Sequence, residues 1–447
     1  MENKLARKMT FWHVWALGTG AVVGDGIFLM VAQGAQAAGP SAALSYFIGG
    51  LLLMAVCMAI SELAVGMPSA GAMHTWSKRV LGPAWGVTAG LTETAMNIIF
   101  LGSVSIAVGA ISNYFFMFGS NESVSAIIWA VLILGIVVVI ALLGGEITGR
   151  SQFILVAVLA GIMLCFAIFG LFSGKIQAEN YRPFAPFGVK GMWVAMGMGI
   201  YAYMGPLTLL TAGDEVKDVR NLPKGMFWAF ITFLVLYTTA MLVMVGLVHF
   251  TNYGAMESPF TAAATLVFGK AAGLIINFAA WLAAVTCLIG EVFCASRLLY
   301  GMSNDGAVPK KFSLLNKYKV PWVGILFSFG VAFIIIIIGN LIALESFYVM
   351  MATIGSVAGT ICMLLSLITG IYYKKKFAEE WNNLPWRLPA RKVLYPVAFL
   401  GVGIILYALF SSSPEALVPS IIFIVVILLF YKFYSAPNTK KLAEKEK

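Results

Sequence analysis

The sequence predicts an all-α polytopic membrane protein with twelve transmembrane helices. Hydrophobic residues make up 61% of its 447 residues and charged residues only 11%. A helix that crosses a bilayer needs about 20 mostly apolar residues, and twelve such stretches follow one another, separated by short polar loops. Basic residues collect in alternate loops. No soluble domain of this size has such a composition, so the bilayer is the solvent.

Each span is placed where an apolar run reaches the length needed to cross the bilayer. Tails at residues 1–10 and 435–447 flank the spans, and almost nothing remains for a soluble domain. The predicted spans are residues 11–38, 41–66, 83–111, 124–144, 152–174, 191–212, 225–250, 272–303, 321–340, 344–373, 393–411 and 416–434.

The distribution of positive charge predicts the topology. Of the 29 lysines and arginines, 25 fall on the side of the two tails. Cytoplasmic loops are enriched in these residues, which places both termini in the cytoplasm. The net charge of +10 therefore indicates topology and attraction to anionic membrane lipid, and no nucleic-acid partner is expected. The first apolar stretch lacks a small-residue cleavage site, so it is predicted to be a span and not a removable signal.

The composition also argues against several functional classes. There are three histidines and no GxxxxGK[ST] motif, which argues against ATP hydrolysis. Isolated acids, without rings of polar residues along several helices, argue against a channel, and the lack of HExxH or nucleophile-elbow motifs argues against a membrane enzyme. Five cysteines without CxxC spacing favour neither a disulfide framework nor a metal site. A carrier driven by gradients, without a cofactor, is the class that remains.

Spans 1 and 6 are predicted to be broken helices. Span 1 contains Gly24 and Gly26, and span 6 contains Gly205 followed by Pro206. Glycine lets the backbone leave helical geometry, and proline removes a hydrogen-bond donor. Interrupted helices in corresponding positions of two halves indicate a transporter binding site between inverted repeats. The alternative is that the glycines only permit close helix packing.

Five stretches carry a family resemblance. They are GTGAVVGDGIFLM, AAGPSAALSYFIGG, AISELAVGMPSAGAMHTW, IYAYMGPLTLLTAGDEVKDVRNLPKG and SRLLYGMSNDGAVPK, in order between residues 10 and about 310. The chain resembles the amino acid, polyamine and organocation permease superfamily. The resemblance implies a leucine-transporter-type fold, with helices 1–5 (11–174) and 6–10 (191–373) as inverted repeats and two extra helices at 393–434. It also implies a substrate site near the bilayer midplane between spans 1, 3, 6 and 8.

The sequence departs from the family pattern at three places. Asp25 stands between two glycines where relatives usually carry a small or hydroxyl residue. His74 stands where many members have tyrosine, so we assign it no role from the resemblance. Some proton-coupled relatives have a lysine in span 5 that replaces a sodium ion, and SQFILVAVLAGIMLCFAIFG has none. That coupling mechanism is therefore not carried over.

Asp25 is the principal candidate for a functional residue, because carboxylates inside a membrane are costly and rare. If span 1 unwinds at Gly24–Gly26, the half-helix restarting at Ile27 presents free backbone N–H groups. Relatives use those donors for the carboxylate of an amino acid substrate. Asp25 is placed to occupy them itself and to attract an amine that lacks that carboxylate. The alternatives are that Asp25 only caps the half-helix or carries a proton.

Glu93 and Glu291 are the other acids well inside predicted spans. The resemblance implies that Glu291 of span 8 lies at the distal part of the site, where it could receive a second cationic or hydroxyl group of the substrate; the alternative is a hydrogen bond to a neighbouring hydroxyl. Glu93 precedes Asn97 by four residues, which puts both on one face of span 3. Asn97 matches a family position near the substrate. Glu93 then lies one turn towards the cytoplasm, as a proton relay, a gate or a packing residue.

Aromatic and charged residues complete the predicted site. Tyr201 and Tyr203 match the family's aromatic gate and could stack over an ammonium group, although packing is their ordinary role. Gly205 is placed at the span 6 break beside the substrate. Five charged or titratable residues lie at predicted cytoplasmic ends of the spans, namely Glu62, His74, Asp214, Glu215 and Asp305. They are expected to form gating or structural ion pairs with partners such as Lys78 and Arg79.

The sequence therefore predicts a secondary active transporter of amino acids or related small organic amines. The substrate is expected to lack an α-carboxylate, as ethanolamine, a monoamine or a diamine does. An ordinary amino acid permease or exchanger, with Asp25 as a helix cap or proton site, is the alternative. The coupling ion is a proton or, through hydroxyls such as Thr286 and Ser296, sodium. The protein is expected in the cell membrane as a monomer or homodimer.

Overall fold

The structure, a computed structural model, describes residues 5–22, 33–255, 259–341, 344–412 and 417–439. Within these ranges the chain is helical, and its one β contact is an isolated parallel bridge between Met9 and Val216. Nine of the described helices are long and apolar enough to cross a membrane. The prediction of an all-α polytopic membrane protein is confirmed. The count of twelve spans and the inverted repeat stay predictions.

The helices lie where the apolar runs place them, with ends shifted by a few residues. The largest shift at a helix start is in span 5, which begins at Gly145 instead of residue 152. Three short helices, α3, α9 and α13, fall outside the predicted spans. The α-helices are α1 Phe11–Val22, α2 Ala42–Gly66, α3 Ala72–Leu81, α4 Pro83–Asn113, α5 Glu122–Leu142, α6 Gly145–Leu171, α7 Gly188–Ala202, α8 Asn221–Leu247, α9 Pro259–Phe268, α10 Ala272–Asn304, α11 Trp322–Leu341, α12 Leu344–Lys376, α13 Ala378–Asn382, α14 Arg391–Ser412 and α15 Leu417–Phe430.

Local chemistry explains where several helices start. Pro83 occupies the first turn of α4, where its missing N–H costs nothing and its fixed φ suits the helix. The Asn121 side chain caps α5 by accepting a hydrogen bond from the Val124 N–H at 3.1 Å. Capping matters at these ends because an unsatisfied backbone donor at the edge of a bilayer is costly.

The predicted break in span 6 is present. Helix α7 ends at Ala202, and a 3₁₀ segment covers Pro206–Asp214. Between them, Gly205 has φ +122°, a conformation that residues with a side chain rarely adopt. Its Cα also lies against the Ala21 carbonyl of α1, where there is no room for a Cβ. The broken segment is therefore held against the end of the described part of α1.

The core is a bundle in which α4 packs along α10 and α12, while α2 packs on α8 and α14. Four of the five cysteines are buried in these interfaces, as expected for small core residues. Cys165 is exposed because it lies on the outer face of α6, which the apolar pattern alone did not distinguish from the core face.

Candidate functional site

Glu93 lies at the centre of the bundle on α4. Its side chain is fully buried, and no cationic side chain pairs with it among the described residues. Its polar neighbours are Cys362 of α12 and Asn97 one turn along its own helix. A charged carboxylate without a partner is expensive to bury, so this side chain needs a proton or a cation.

Glu291 lies on α10, across from Glu93, and is 1% exposed. Its Oε1 accepts a hydrogen bond from the Cys287 thiol at 3.7 Å, one helical turn away, and its Oε2 has no partner in the described part of the chain. The two carboxyl groups lie close enough for their charges to repel each other. The packing of α4 on α10 therefore brings together two acids that are 198 positions apart in the sequence.

Asn97 lies on the Glu93 face of α4, as its spacing predicts. Its Nδ2 donates to the Glu93 backbone carbonyl at 2.7 Å, and its buried Oδ1 has no partner among the described residues. Cys294 of α10 faces Thr208 and Thr211 of the 3₁₀ segment and lies within electrostatic range of both acids. The sequence alone does not identify Cys294 and Cys362 as members of this centre, because small thiols in apolar runs give no functional signal.

The aromatic residues at the span 6 break occupy a different environment. The Tyr203 ring stacks on Tyr237 and Phe233 of α8, with ring centroids 5.1 and 5.4 Å away, and meets Tyr46 of α2 edge-on. These contacts are packing contacts, and they do not include the two acids. The side chain of Tyr201 lies outside the described part of the structure.

The last described turn of α1 approaches this centre. The Tyr237 hydroxyl donates to the Val22 carbonyl at 3.2 Å, and the Cys287 thiol donates to the Ala21 carbonyl at 3.8 Å. The thiol that contacts Glu291 therefore also contacts span 1. The predicted substrate residues Gly24, Asp25, Gly26 and Ile27 lie outside the described residues.

Two other buried acids are paired with arginine. Glu62 of α2 accepts from the Arg391 Nε of α14 at 2.9 Å and from the Leu388 N–H at 3.2 Å. Glu215 accepts from the Arg297 Nε at 2.7 Å, and Arg297 is fully buried with its guanidinium over the Phe293 ring. The ion-pair partners of Glu62 and Glu215 are therefore these two arginines, and not Lys78 or Arg79.

The remaining predicted acids lie at the same end of the bundle. Asp214 accepts from the Ala70 N–H at 2.9 Å. Asp305 contacts His74 Nε2 and Lys78 Nζ, each at 3.1 Å. Burial alone would raise the pKa of Asp305, but the hydrogen bond and charge of His74, together with Lys78, hold it below its ordinary value. Arg79 pairs with Glu380 at 2.7 Å, on the surface.

The arrangement divides the buried acids into two kinds. Glu62 and Glu215, near the loop ends, carry an arginine each and hold helices together, whereas Glu93 and Glu291 lie within electrostatic range of each other without a cation among the described residues. The described residues contain no cluster of three metal-ligating side chains. The central pair can bind protons or an organic ammonium group.

Comparison with known proteins agrees with this geometry. A family model described as Amino acid permease matches residues 13–446. The branched-chain amino acid permease BcaP of Lactococcus lactis is 26% identical and covers 95% of this chain and 94% of its own. The amino-acid permease RocE of Bacillus subtilis is 24% identical and covers 96% of this chain and 95% of its own. The methylthioribose transporter of the same species is 26% identical and covers 98% of this chain and 95% of its own. These relatives are transporters, which confirms the prediction that the chain is not an enzyme.

Proposed function

This chain belongs to the amino acid permease family, and from that premise we propose that it is a secondary active transporter of small organic amines or amino acids. It works by alternating access, with the substrate held between spans 1, 3, 6 and 8. The finer fold belongs to the same proposal, namely twelve spans, of which helices 1–10 form two inverted repeats. The break at Gly205 supports it, because the backbone leaves helical geometry where span 6 meets span 1.

The observation that carries the proposal is the contrast between paired and unpaired buried acids. Glu62 and Glu215 show that this fold supplies an arginine where a buried carboxylate is structural. Glu93 and Glu291 have no such partner among the described residues. A positive charge that arrives and leaves during transport, either a proton or a substrate ammonium, is the partner they require.

The names of the relatives do not decide the substrate. At nearly equal identity they include permeases of branched-chain amino acids and a transporter of methylthioribose, a sugar without a carboxylate. We propose an amine without an α-carboxylate, such as ethanolamine, a monoamine or a diamine. Asp25, Glu93 and Glu291 would make three acids near the site, and a substrate carboxylate would be repelled by any of them that is charged.

Coupling to protons is the second part of the proposal. Glu93 is enclosed by apolar helices and lies one turn from Asn97, so it is suited to hold a proton in one state and to release it in another. Sodium is the alternative, because Thr286 and Ser296 place hydroxyl groups on α10. Their hydroxyls donate to the Ala283 and Phe293 carbonyls at 2.8 and 3.0 Å, and the Ser296 Oγ also accepts a hydrogen bond from the Arg297 guanidinium at 3.1 Å, which makes sodium the weaker candidate.

A thermal-shift panel on the purified protein tests the substrate. Each α-amino acid is paired with the amine formed by its decarboxylation, and both are measured at two pH values with and without sodium. We expect amines to raise the midpoint of unfolding more than their parent amino acids do. Asp25→Asn and Glu291→Gln should each make that rise smaller, because each should weaken ligand affinity at least tenfold. A tenfold change corresponds to about 1.4 kcal/mol of binding free energy.

Glu179→Gln is the matched control, because it removes one exposed acid from a loop far from the centre. Its ligand shifts should equal those of the unmodified protein. Stabilisation by amino acids alone, unchanged in Asp25→Asn and Glu291→Gln, would contradict the amine site and leave the alternative of an ordinary amino acid permease. Stabilisation that requires sodium at both pH values would replace the proton by sodium as the coupling ion.

A further inference from the structure

A cage of cations surrounds one indole between the last turn of α12 and the first turn of α14. The Trp381 ring of α13 has Lys374 Nζ at 4.4 Å from its centroid, Arg387 Cζ at 5.2 Å and Arg391 Cζ at 5.6 Å. Each cation is attracted to the ring, but three like charges gathered within 6 Å of one ring centroid also repel one another. The arrangement needs negative charge to be stable.

The protein supplies that negative charge only in part. Arg391 is neutralised by Glu62, whereas Lys374 and Arg387 have no carboxylate within 4.0 Å among the described residues. Of the two acids in α13, Glu380 is paired with Arg79, and residues 374–392 contain six basic side chains against two acidic ones. The cage therefore keeps an uncompensated positive charge.

The position of the cage shows where an anion could come from. Helix α12 is apolar enough to cross a membrane and ends at Lys376, and α14 begins at Arg391, so α13 lies at the level where spans leave the bilayer. Lys374 and Arg387 are exposed, and Tyr372 beside them is 44% exposed. Tyrosine and tryptophan next to basic residues are typical of the headgroup level of a membrane.

We propose that this cage, formed by Lys374, Trp381, Arg387 and Arg391, binds the phosphate of an anionic phospholipid headgroup. The Arg387 guanidinium can donate two parallel hydrogen bonds to phosphate oxygens, and the Lys374 ammonium adds a point charge. The acyl chains of the lipid would then lie against the exposed apolar face of α14, which includes Val393 and Leu400. A free phosphate ion could use the same cations but would gain nothing from that apolar face.

A bound lipid would stabilise the contact between the bundle and α14. Arg391 already joins three elements there, because it bonds Glu62 of α2, donates to the Gly370 carbonyl of α12 at 2.7 Å and lies over the Tyr395 ring of α14. Neutralising Lys374 and Arg387 would remove the repulsion that acts on this arginine. The expected result is a higher midpoint of thermal unfolding in the presence of anionic lipid.

The experiment measures thermal unfolding of the full chain in delipidated detergent micelles. Phosphatidylglycerol is titrated in, with phosphatidylcholine of the same chain length and inorganic phosphate as separate arms. We expect phosphatidylglycerol to raise the midpoint by about 5 °C and the other two to leave it within a degree. The double variant Lys374→Gln, Arg387→Gln should lose most of this rise.

The double variant Lys217→Gln, Lys224→Gln is the matched control, because it removes two exposed positive charges, one just before α8 and one in its first turn. It should keep the full rise. An equal loss in both double variants, or an equal rise with phosphatidylcholine, would overturn the proposal. A rise with inorganic phosphate alone would show an adventitious ion only. If the first double variant does not fold, Arg387→Gln alone serves, and an unchanged phosphatidylglycerol shift in it would also overturn the proposal.

Discussion

The buried pair of Arg297 and Glu215 should make one of the largest single contributions of any side-chain contact to the stability of this protein. Arg297 is fully buried, Glu215 is 2% exposed, and the Arg297 Nε donates to the carboxylate at 2.7 Å. Replacing Arg297 by methionine keeps most of the side-chain volume but removes the charge. Glu215 would then be a buried anion without a partner, which costs about 3–5 kcal/mol.

The exposed pair of Arg79 and Glu380 gives the internal control. Its donor and acceptor are also 2.7 Å apart, but the two side chains are 43% and 45% exposed. Water screens such a pair, so Arg79→Met should cost about 0–1 kcal/mol. The same bond length with different burial isolates the effect of desolvation.

Denaturant unfolding of the purified variants in detergent, followed by tryptophan fluorescence, measures both costs. Adding Glu215→Gln to Arg297→Met should recover a large part of the lost stability, because the unpaired charge is then gone. Equal destabilisation by Arg297→Met and Arg79→Met would refute the argument, and so would a double variant less stable than Arg297→Met alone.

Three further predictions concern the break, a helix cap and acid pH. Gly205→Ala should destabilise the protein by about 1–3 kcal/mol, because φ +122° is strained for alanine and its Cβ meets the Ala21 carbonyl, whereas Gly135→Ala on an open face of α5 should not destabilise it. Asn121→Ala should cost about 1 kcal/mol in the same unfolding assay through loss of the α5 cap, and Asn121→Asp should restore it. The pKa of Asp305 is lower in the folded state than in the unfolded chain. The stability that Asp305 contributes is therefore complete above its unfolded pKa of about 3.9 and is lost as the pH falls through its folded pKa. Lys78→Gln should weaken this loss of stability at acid pH, and an unchanged dependence of stability on pH would contradict the assignment.

The sequence predicts well what depends on local pattern. Apolar runs place the helices, and the Gly205–Pro206 pair places the break, because both effects are properties of a short segment. The spacing of Glu93 and Asn97 predicts a shared helix face. It does not predict that the Asn97 amide donates back to the Glu93 carbonyl, since a shared face leaves the side-chain rotamer open.

Long-range pairing is what the sequence leaves undetermined. The partner of Glu62 is Arg391, 329 positions away, and the partner of Glu215 is Arg297, 82 positions away. Lys78 and Arg79 are nearer in sequence to Glu62, but the packing of α2 on α14 decides the contact. Pattern alone also cannot show that α4 and α10 bring Glu93 and Glu291 within electrostatic range, or that Cys362 lies beside Glu93, because that follows from the rotation of each helix about its axis.

The central claim is that Glu93 and Glu291 serve a cation that comes and goes. Uptake into proteoliposomes, driven by an imposed pH gradient and compared with counterflow of the same amine, tests it most directly. We predict that Glu93→Gln loses gradient-driven uptake at least tenfold but keeps counterflow, and that Glu93→Gln with Glu291→Gln loses both. Gradient-driven uptake and counterflow at the level of the unmodified protein in the double variant would contradict the claim.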